Sequence, residues 1–143
     1  MFQAMTEEEI QEFINGSSRT GKLATVRADG RPHCMPVWCL FEGGVVYFTT
    51  MNSSVKARNI ARDSRVCLTF DNESFPFDFV SIEGEAEVLE VTDEERLDYS
   101  TRIAARYVPG GRAEEFGKRN AVPEELVIRI NPLKIISARG VAN

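Results

Sequence analysis

The segment Asn52-Ser53-Ser54-Val55-Lys56-Ala57-Arg58-Asn59 places two cations at the start of a helix that Ser54 caps. A helix N-terminus already presents unpaired N–H groups and about half a positive charge, so acidic residues are favoured there and basic ones are not. The other capped helices of the chain follow that rule: Glu7, Glu8 and Glu9 fill the first turn after Thr6, and Asp93, Glu94 and Glu95 fill the one after Thr92. The Ser54 helix meets no acid until Asp63. Misplaced charge of this kind costs up to about 1 kcal/mol per residue unless an anion neutralises it. The Ser53 and Ser54 hydroxyls, the free amides, the Lys56 ammonium and the Arg58 fork together suit a phosphate. The same two cations also suit a solvated face, paired with the outward carboxylates of Glu83, Glu85 and Glu87.

Few other residues offer chemistry. His33 is the only histidine and has no acidic or serine partner nearby in the chain, so no nucleophilic triad or histidine-rich metal set can be assembled. The three cysteines, Cys34, Cys39 and Cys67, are an odd number at spacings of neither a zinc site nor a disulfide framework, and read as reduced thiols of a cytoplasmic protein. Trp38 suits stacking on a ligand ring, filling the core or anchoring a subunit contact. Phe75-Pro76-Phe77-Asp78-Phe79 suits either a wall for a planar ligand or a plug for one end of the fold.

A net charge of -5 argues against nucleic acid as partner, so any anion must meet a local positive patch. The stretch Met1 to Glu12 has no basic and apolar leader pattern, and no window approaches the ~20 apolar residues of a membrane span. Neither secretion nor membrane insertion is expected.

The elements that must position the Ser54 segment are mostly strands. Lys22 to Arg27 reads as a strand, Asp29-Gly30 as a tight hairpin, Pro32 to Phe41 as the returning strand, and Val45 to Thr50 as the third of a meander. Arg65 to Asp71 alternates, as does Val80 to Val88, whose carboxylate row faces outward. The Thr6 helix ends at Asn15-Gly16, the Thr92 helix runs to about Tyr107, and Leu126 to Ile130 with Ile135-Ile136 forms a last strand region. Many short antiparallel strands with three scattered helices indicate a mainly β fold, a small closed or partly closed barrel, in one domain over 1–143.

Gly21-Lys22-Leu23-Ala24-Thr25-Val26, Asp29-Gly30-Arg31-Pro32-His33, Val46-Tyr47-Phe48-Thr49-Thr50, Lys56-Ala57-Arg58-Asn59-Ile60-Ala61-Arg62-Asp63 and Glu83-Gly84-Glu85-Ala86 occur in that order. This order resembles the pyridoxamine-phosphate-oxidase-like split-barrel superfamily over most of residues 6 to 90. The short length and Lys56-Ala57-Arg58-Asn59 are most similar to its reductases that use the deazaflavin coenzyme F420, the branch containing the biliverdin reductases.

The resemblance implies a split barrel, a homodimer and a cofactor at the subunit interface. Pro36, Val37 and Trp38 would then lie beside the tricyclic ring, Thr49 and Thr50 at the end of the next strand, and Ser54, Val55, Lys56, Ala57, Arg58 and Asn59 around the phosphate and its acidic tail. Phe77 and Phe79 would lie near the ring. The implied activity is hydride transfer from the reduced deazaflavin to an electron-poor conjugated small molecule, which requires no acid–base dyad in the protein. No catalytic residue and no metal site is assigned. Two alternatives stay open: an FMN-binding oxidoreductase, and a non-enzymatic flavin- or haem-binding module, the latter needing His33, a cysteine or a tyrosine as axial ligand.

Overall fold

The computed structural model describes residues 3–143, so the first two positions of the stretch read for a leader lie outside it. Seven strands form one sheet in the spatial order β2-β1-β5-β6-β7-β4-β3, every neighbouring pair antiparallel. They are β1 (Gly21–Val26), β2 (Pro32–Val37), β3 (Cys39–Glu42), β4 (Val45–Met51), β5 (Arg65–Asp71), β6 (Phe79–Val88) and β7 (Glu125–Ala138). The edge strands β2 and β3 are separated along the chain by Trp38 alone. Two edges joined by one residue force the sheet to curl until they meet, giving the mainly β split barrel expected from the strand pattern.

Pro32 to Phe41 is therefore two strands where the alternation predicts one, and the expected meander is two hairpins at opposite edges. Glycine at 21 and valine at 37 still pair, as do Cys39 and Phe48. Between those pairs the strand changes partner, from β1 to β4. The last strand is continuous from Glu125 to Ala138 because a register shift opposite Glu83 and Gly84 carries it past Pro132. An added Cβ at Gly84 would overlap the Asn131 backbone carbonyl oxygen, so a glycine is needed for that close approach.

Leu23, Phe41, Phe48, Phe70, Ile82 and Ile128 fill the barrel and are at most 2% exposed. The first helix, α1 (Glu7–Asn15), closes one end with Ile10 and Ile14, started by the capping box of Thr6 and Glu9. Helix α2 (Val55–Arg62) packs on β1 and β4 with Ala57 and Ile60 buried. On the outer face of β4 lies α3 (Asp93–Ala104), whose Tyr99 ring meets the Tyr47 ring 4.9 Å away.

A fourth helix, α4 (Ala113–Asn120), follows Pro109-Gly110-Gly111, where the sequence pattern predicts three helices in all. Its sequence, Ala-Glu-Glu-Phe-Gly-Lys-Arg-Asn, offers one large apolar side chain and an internal glycine, too little for a periodic signal. Gly117 is nonetheless what seats it: an added Cβ would lie 2.9 Å from Thr101 Cα on α3.

Candidate functional site

Side-chain alternation along β4 and β7 puts Thr49, Glu125 and Val127 on one outward face, since Thr49 pairs with Val127 and Met51 with Glu125. Helix α3 covers that face and α4 extends the cover. Between them a cavity of about 270 Å³ is lined by Pro36, Val37, Trp38, Thr49, Lys56, Ser100, Ile103, Arg119, Asn120 and Glu125. Five of the expected residues, from β2, the barrel joint, β4 and α2, thus converge on one space.

The rest of the Ser54 segment divides by role. Ser54 Oγ accepts from the Ala57 amide at 3.1 Å and shares a 2.8 Å hydrogen bond with Thr50 Oγ1, so both hydroxyls serve the helix cap. Asn59 is 4% exposed; its amide donates to Thr25 Oγ1 at 2.9 Å and its carbonyl accepts from Arg62, whose guanidinium also reaches the Val26 carbonyl. These bonds fix α2 on β1. Ala57 is packed beneath it.

Lys56 and Arg58 are two positions apart, roughly 200° around the helix, and point to different places. Arg58 is exposed and lines a second space of about 370 Å³ with Arg27, Ala28, Asp29, Val55, Asn59 and Arg62. Among the described residues neither Lys56 nor Arg58 forms an ion pair. The alternative of pairing with the β6 carboxylates is not realised: Glu87 pairs with Arg129. The single phosphate cradle drawn from the sequence is instead two cationic corners on opposite flanks of α2.

Trp38 is not a free stacking surface on both sides. The Tyr107 ring lies parallel to its indole, with centroids 5.0 Å apart at 6°, and Phe116 is tilted against it at 6.3 Å. Phe77 and Phe79 do not line the cavity. Phe79 pairs with Ala138, at the opposite end of β7 from Glu125, and Phe77 sits in the adjoining loop at φ 67°.

Sequence reasoning missed the other five lining residues: Ser100, Ile103, Arg119, Asn120 and Glu125. Ser100 is 2% exposed and its hydroxyl has no hydrogen-bond partner among the described residues. A buried hydroxyl without a partner costs about 1–3 kcal/mol, so this one marks a place for a polar ligand atom. Glu125 is 8% exposed, and burial pushes its carboxyl above the usual carboxylate range while the Lys56 charge and the Thr49 hydroxyl oppose the rise. Two cations, one carboxylate and three neutral polar groups against a Pro36–Trp38 wall fit an anionic ring compound.

A cavity of about 280 Å³ beside α1 is also charged, but its Glu9 and Arg139 pair at 2.5 Å, Arg19 is held by the Phe13 carbonyl and Asp78 by Gly140. Among the described residues no group of three metal-ligating side chains forms, and no helix is long and apolar enough to cross a membrane.

The profile of the pyridoxamine 5'-phosphate oxidase family matches residues 6–137. The chain belongs to that family. Within the fold, it is similar to the conserved hypothetical protein Rv2991 from Mycobacterium tuberculosis, at 30% identity and TM-score 0.81 over 95% of this chain and 86% of that one. An F420 reductase is 22% identical with TM-score 0.65, covering 87% of this chain and 94% of its own. The haem storage protein HutZ from Vibrio cholerae is 19% identical with TM-score 0.72, over 96% and 98%. These last two share the split barrel and carry opposite roles, so the fold by itself does not choose between enzyme and binding module. No curated protein matches the chain.

Proposed function

We propose that this member of the pyridoxamine 5'-phosphate oxidase family is a reductase that uses reduced coenzyme F420 to deliver a hydride to an electron-poor conjugated molecule. The observation that carries this reading is that Lys56 shares one cavity with Pro36, Val37 and Trp38, and that the cavity holds the unpartnered hydroxyl of Ser100. When bound, the reduced deazaflavin supplies the hydride.

The protein's own residues bind, orient and exclude water. The Lys56 ammonium holds the phosphate, with the Ser100 hydroxyl and Asn120 amide as further donors. Val37 and Ile103 make the dry side of the cavity, and Trp38, fixed by Tyr107, is a rigid wall for the ring. On the other flank of α2, Arg58 with Arg27 suits the acidic tail. No catalytic side chain is assigned to protonation of the reduced product, which takes its proton from solvent.

At about 270 Å³ the cavity is smaller than the roughly 300–1,000 Å³ of complete ligand sites. A second copy closing over it would complete the site, and Phe77 and Phe79 would reach the cofactor only from that copy. The chain is therefore read as a homodimer. FMN is the competing cofactor, because its phosphate suits the same Lys56 corner. Haem is poorly served, since no histidine, cysteine or tyrosine is among the lining residues.

Fluorescence titration of the purified protein with F420 and with FMN tests the assignment. Tighter binding of F420 is expected, followed by turnover of a conjugated ketone, lactone or tetrapyrrole with the reduced cofactor. Tighter binding of FMN would overturn the choice of cofactor.

A further inference from the structure

We propose that Glu125 makes the Lys56 corner select a phosphodiester over a phosphomonoester, and so chooses between deazaflavin and flavin nucleotide. This inference rests on the cofactor site described under Proposed function.

With Glu125 ionised, the corner keeps a single net positive charge before any ligand enters. Lys56 from α2 and Arg119 from α4 bring positive charge, and Glu125 from β7 brings a carboxylate that is 8% exposed. Ser100 from α3, Thr49 from β4 and Asn120 from α4 are neutral. The remaining charge packed against Glu125 is Arg96 of α3, whose Nε donates to the Glu125 backbone carbonyl at 3.0 Å and whose Nη1 pairs with Asp93 at 2.7 Å. Arg96 is thus already neutralised, and Glu124 is exposed.

Glu125 is not explained by folding. Among the described residues its carboxylate closes no ion pair, and a buried carboxylate without one destabilises a fold. Its position in the β4–β7 ladder, opposite Met51, needs no acid. What it does is face the space that a phosphate on Lys56 would occupy.

There the ligand's own charge decides. Repulsion between a phosphate and an ionised Glu125 grows with the phosphate's charge and is stronger at a buried carboxylate than in bulk water. The phosphate of F420 is a diester carrying one negative charge at any accessible pH; the carboxylates of its tail lie beyond the ester. The phosphate of FMN is a monoester with a second ionisation near pH 6, so at neutral pH it carries about two charges. Ionised Glu125 therefore penalises FMN about twice as much. The monoester binds well only when Glu125 takes up a proton, which its burial favours.

Glu125→Gln keeps the shape and removes the charge. F420, FMN and phosphate-free riboflavin are titrated against wild type and variant by cofactor fluorescence at about pH 5 and about pH 8, on either side of the phosphate ionisation. At the higher pH the variant is expected to bind FMN about tenfold more tightly, the equivalent of one pKa unit, with a smaller gain for F420 and none for riboflavin. Wild type by itself is expected to gain more affinity for FMN than for F420 on going to the lower pH, a comparison that stands even if the variant folds poorly. Equal gains for all three ligands, or an FMN gain no larger than that for F420, would overturn the role of Glu125 alone. If neither F420 nor FMN binds at either pH, the cofactor reading falls and this one with it.

Discussion

Trp38 lies flat on Tyr107, ring centroids 5.0 Å apart and planes within 6°, and Trp38 is also the residue at which the two edges of the sheet are joined. The stack fixes the seam of the barrel to the end of α3. The Tyr107 hydroxyl donates to the Arg19 carbonyl at 2.9 Å and accepts from the Cys39 amide at 3.0 Å. Arg106 beside it donates to the carbonyls of Ile14, Ser17 and Cys39. Backbone groups of three segments that have no ladder partner at the seam are satisfied by these two side chains.

Tyr107→Phe keeps the stack and removes the hydroxyl, leaving the Cys39 amide without its acceptor. A loss of about 1–3 kcal/mol in folding stability is expected, the range for a buried group left unpaired. Denaturant unfolding followed by the fluorescence of Trp38, the only tryptophan, measures it directly. Stability equal to wild type would show that the seam does not depend on the hydroxyl.

The two flanks of α2 separate by charge reversal. Lys56→Glu should weaken cofactor binding by about tenfold or more, because it replaces one of the two cations of the cavity with an acid beside Glu125. Arg58→Glu, on the other face, should affect F420 more than FMN, because it meets only a long acidic tail. Equal effects of the two reversals on FMN would mean that the phosphate spans both flanks.

The barrel and the start of α2 were legible because they rest on local signals. Alternation wrote β1, β4, β5 and β6 into the sequence, and capping boxes wrote α1 and α3. The basic first turn of α2 stood out against two acidic ones. The site itself was half legible. Pro36, Val37, Trp38, Thr49 and Lys56 lie near that signal in the chain, whereas Ser100, Arg119, Asn120 and Glu125 arrive through long-range packing of α3, α4 and β7. Glu125 in particular follows Pro123-Glu124 and reads as one more surface acid. Only the pairing of β4 with β7 turns it inward under α3. Asn59 has a part in the fold that the basic motif did not show: its amide is bonded to Thr25 on β1, while the residue also lines the space beside Arg58.

Glu125 also gives a stability signature in the absence of any ligand. Its folded-state pKa is raised above the ordinary 4.5 by burial, so the folded protein binds that proton more tightly than the unfolded chain does. The stabilisation is complete below the unfolded value and is lost as pH rises through the folded one. Wild type should therefore lose stability over the mildly acidic range relative to Glu125→Gln, and the difference should stay constant at higher pH. Thermal unfolding of both proteins from about pH 4 to pH 8 tests it, and a constant offset throughout would show that Glu125 titrates as an ordinary surface acid.

Gly117 is the pivot between fold and site. It is buried where α4 touches α3, and an added Cβ would overlap the Thr101 side chain and stand 2.9 Å from Thr101 Cα. Because backbone as well as side chain is in the way, Gly117→Ala cannot be relieved by a rotamer change, and trimming Thr101 to alanine in the same protein should not rescue it. The helix must move outward, at about 1–3 kcal/mol for overpacking. Arg119 and Asn120 lie within the next turn and move with it, widening the cavity on the side facing Lys56 and Ser100. The expected result is a lower melting temperature together with weaker cofactor binding, whereas Lys118→Ala, at an exposed position of the same helix, should leave both near wild type. Loss of stability with full affinity would mean that α4 only buttresses the barrel and that the cofactor is held by α2 and the strand ends alone.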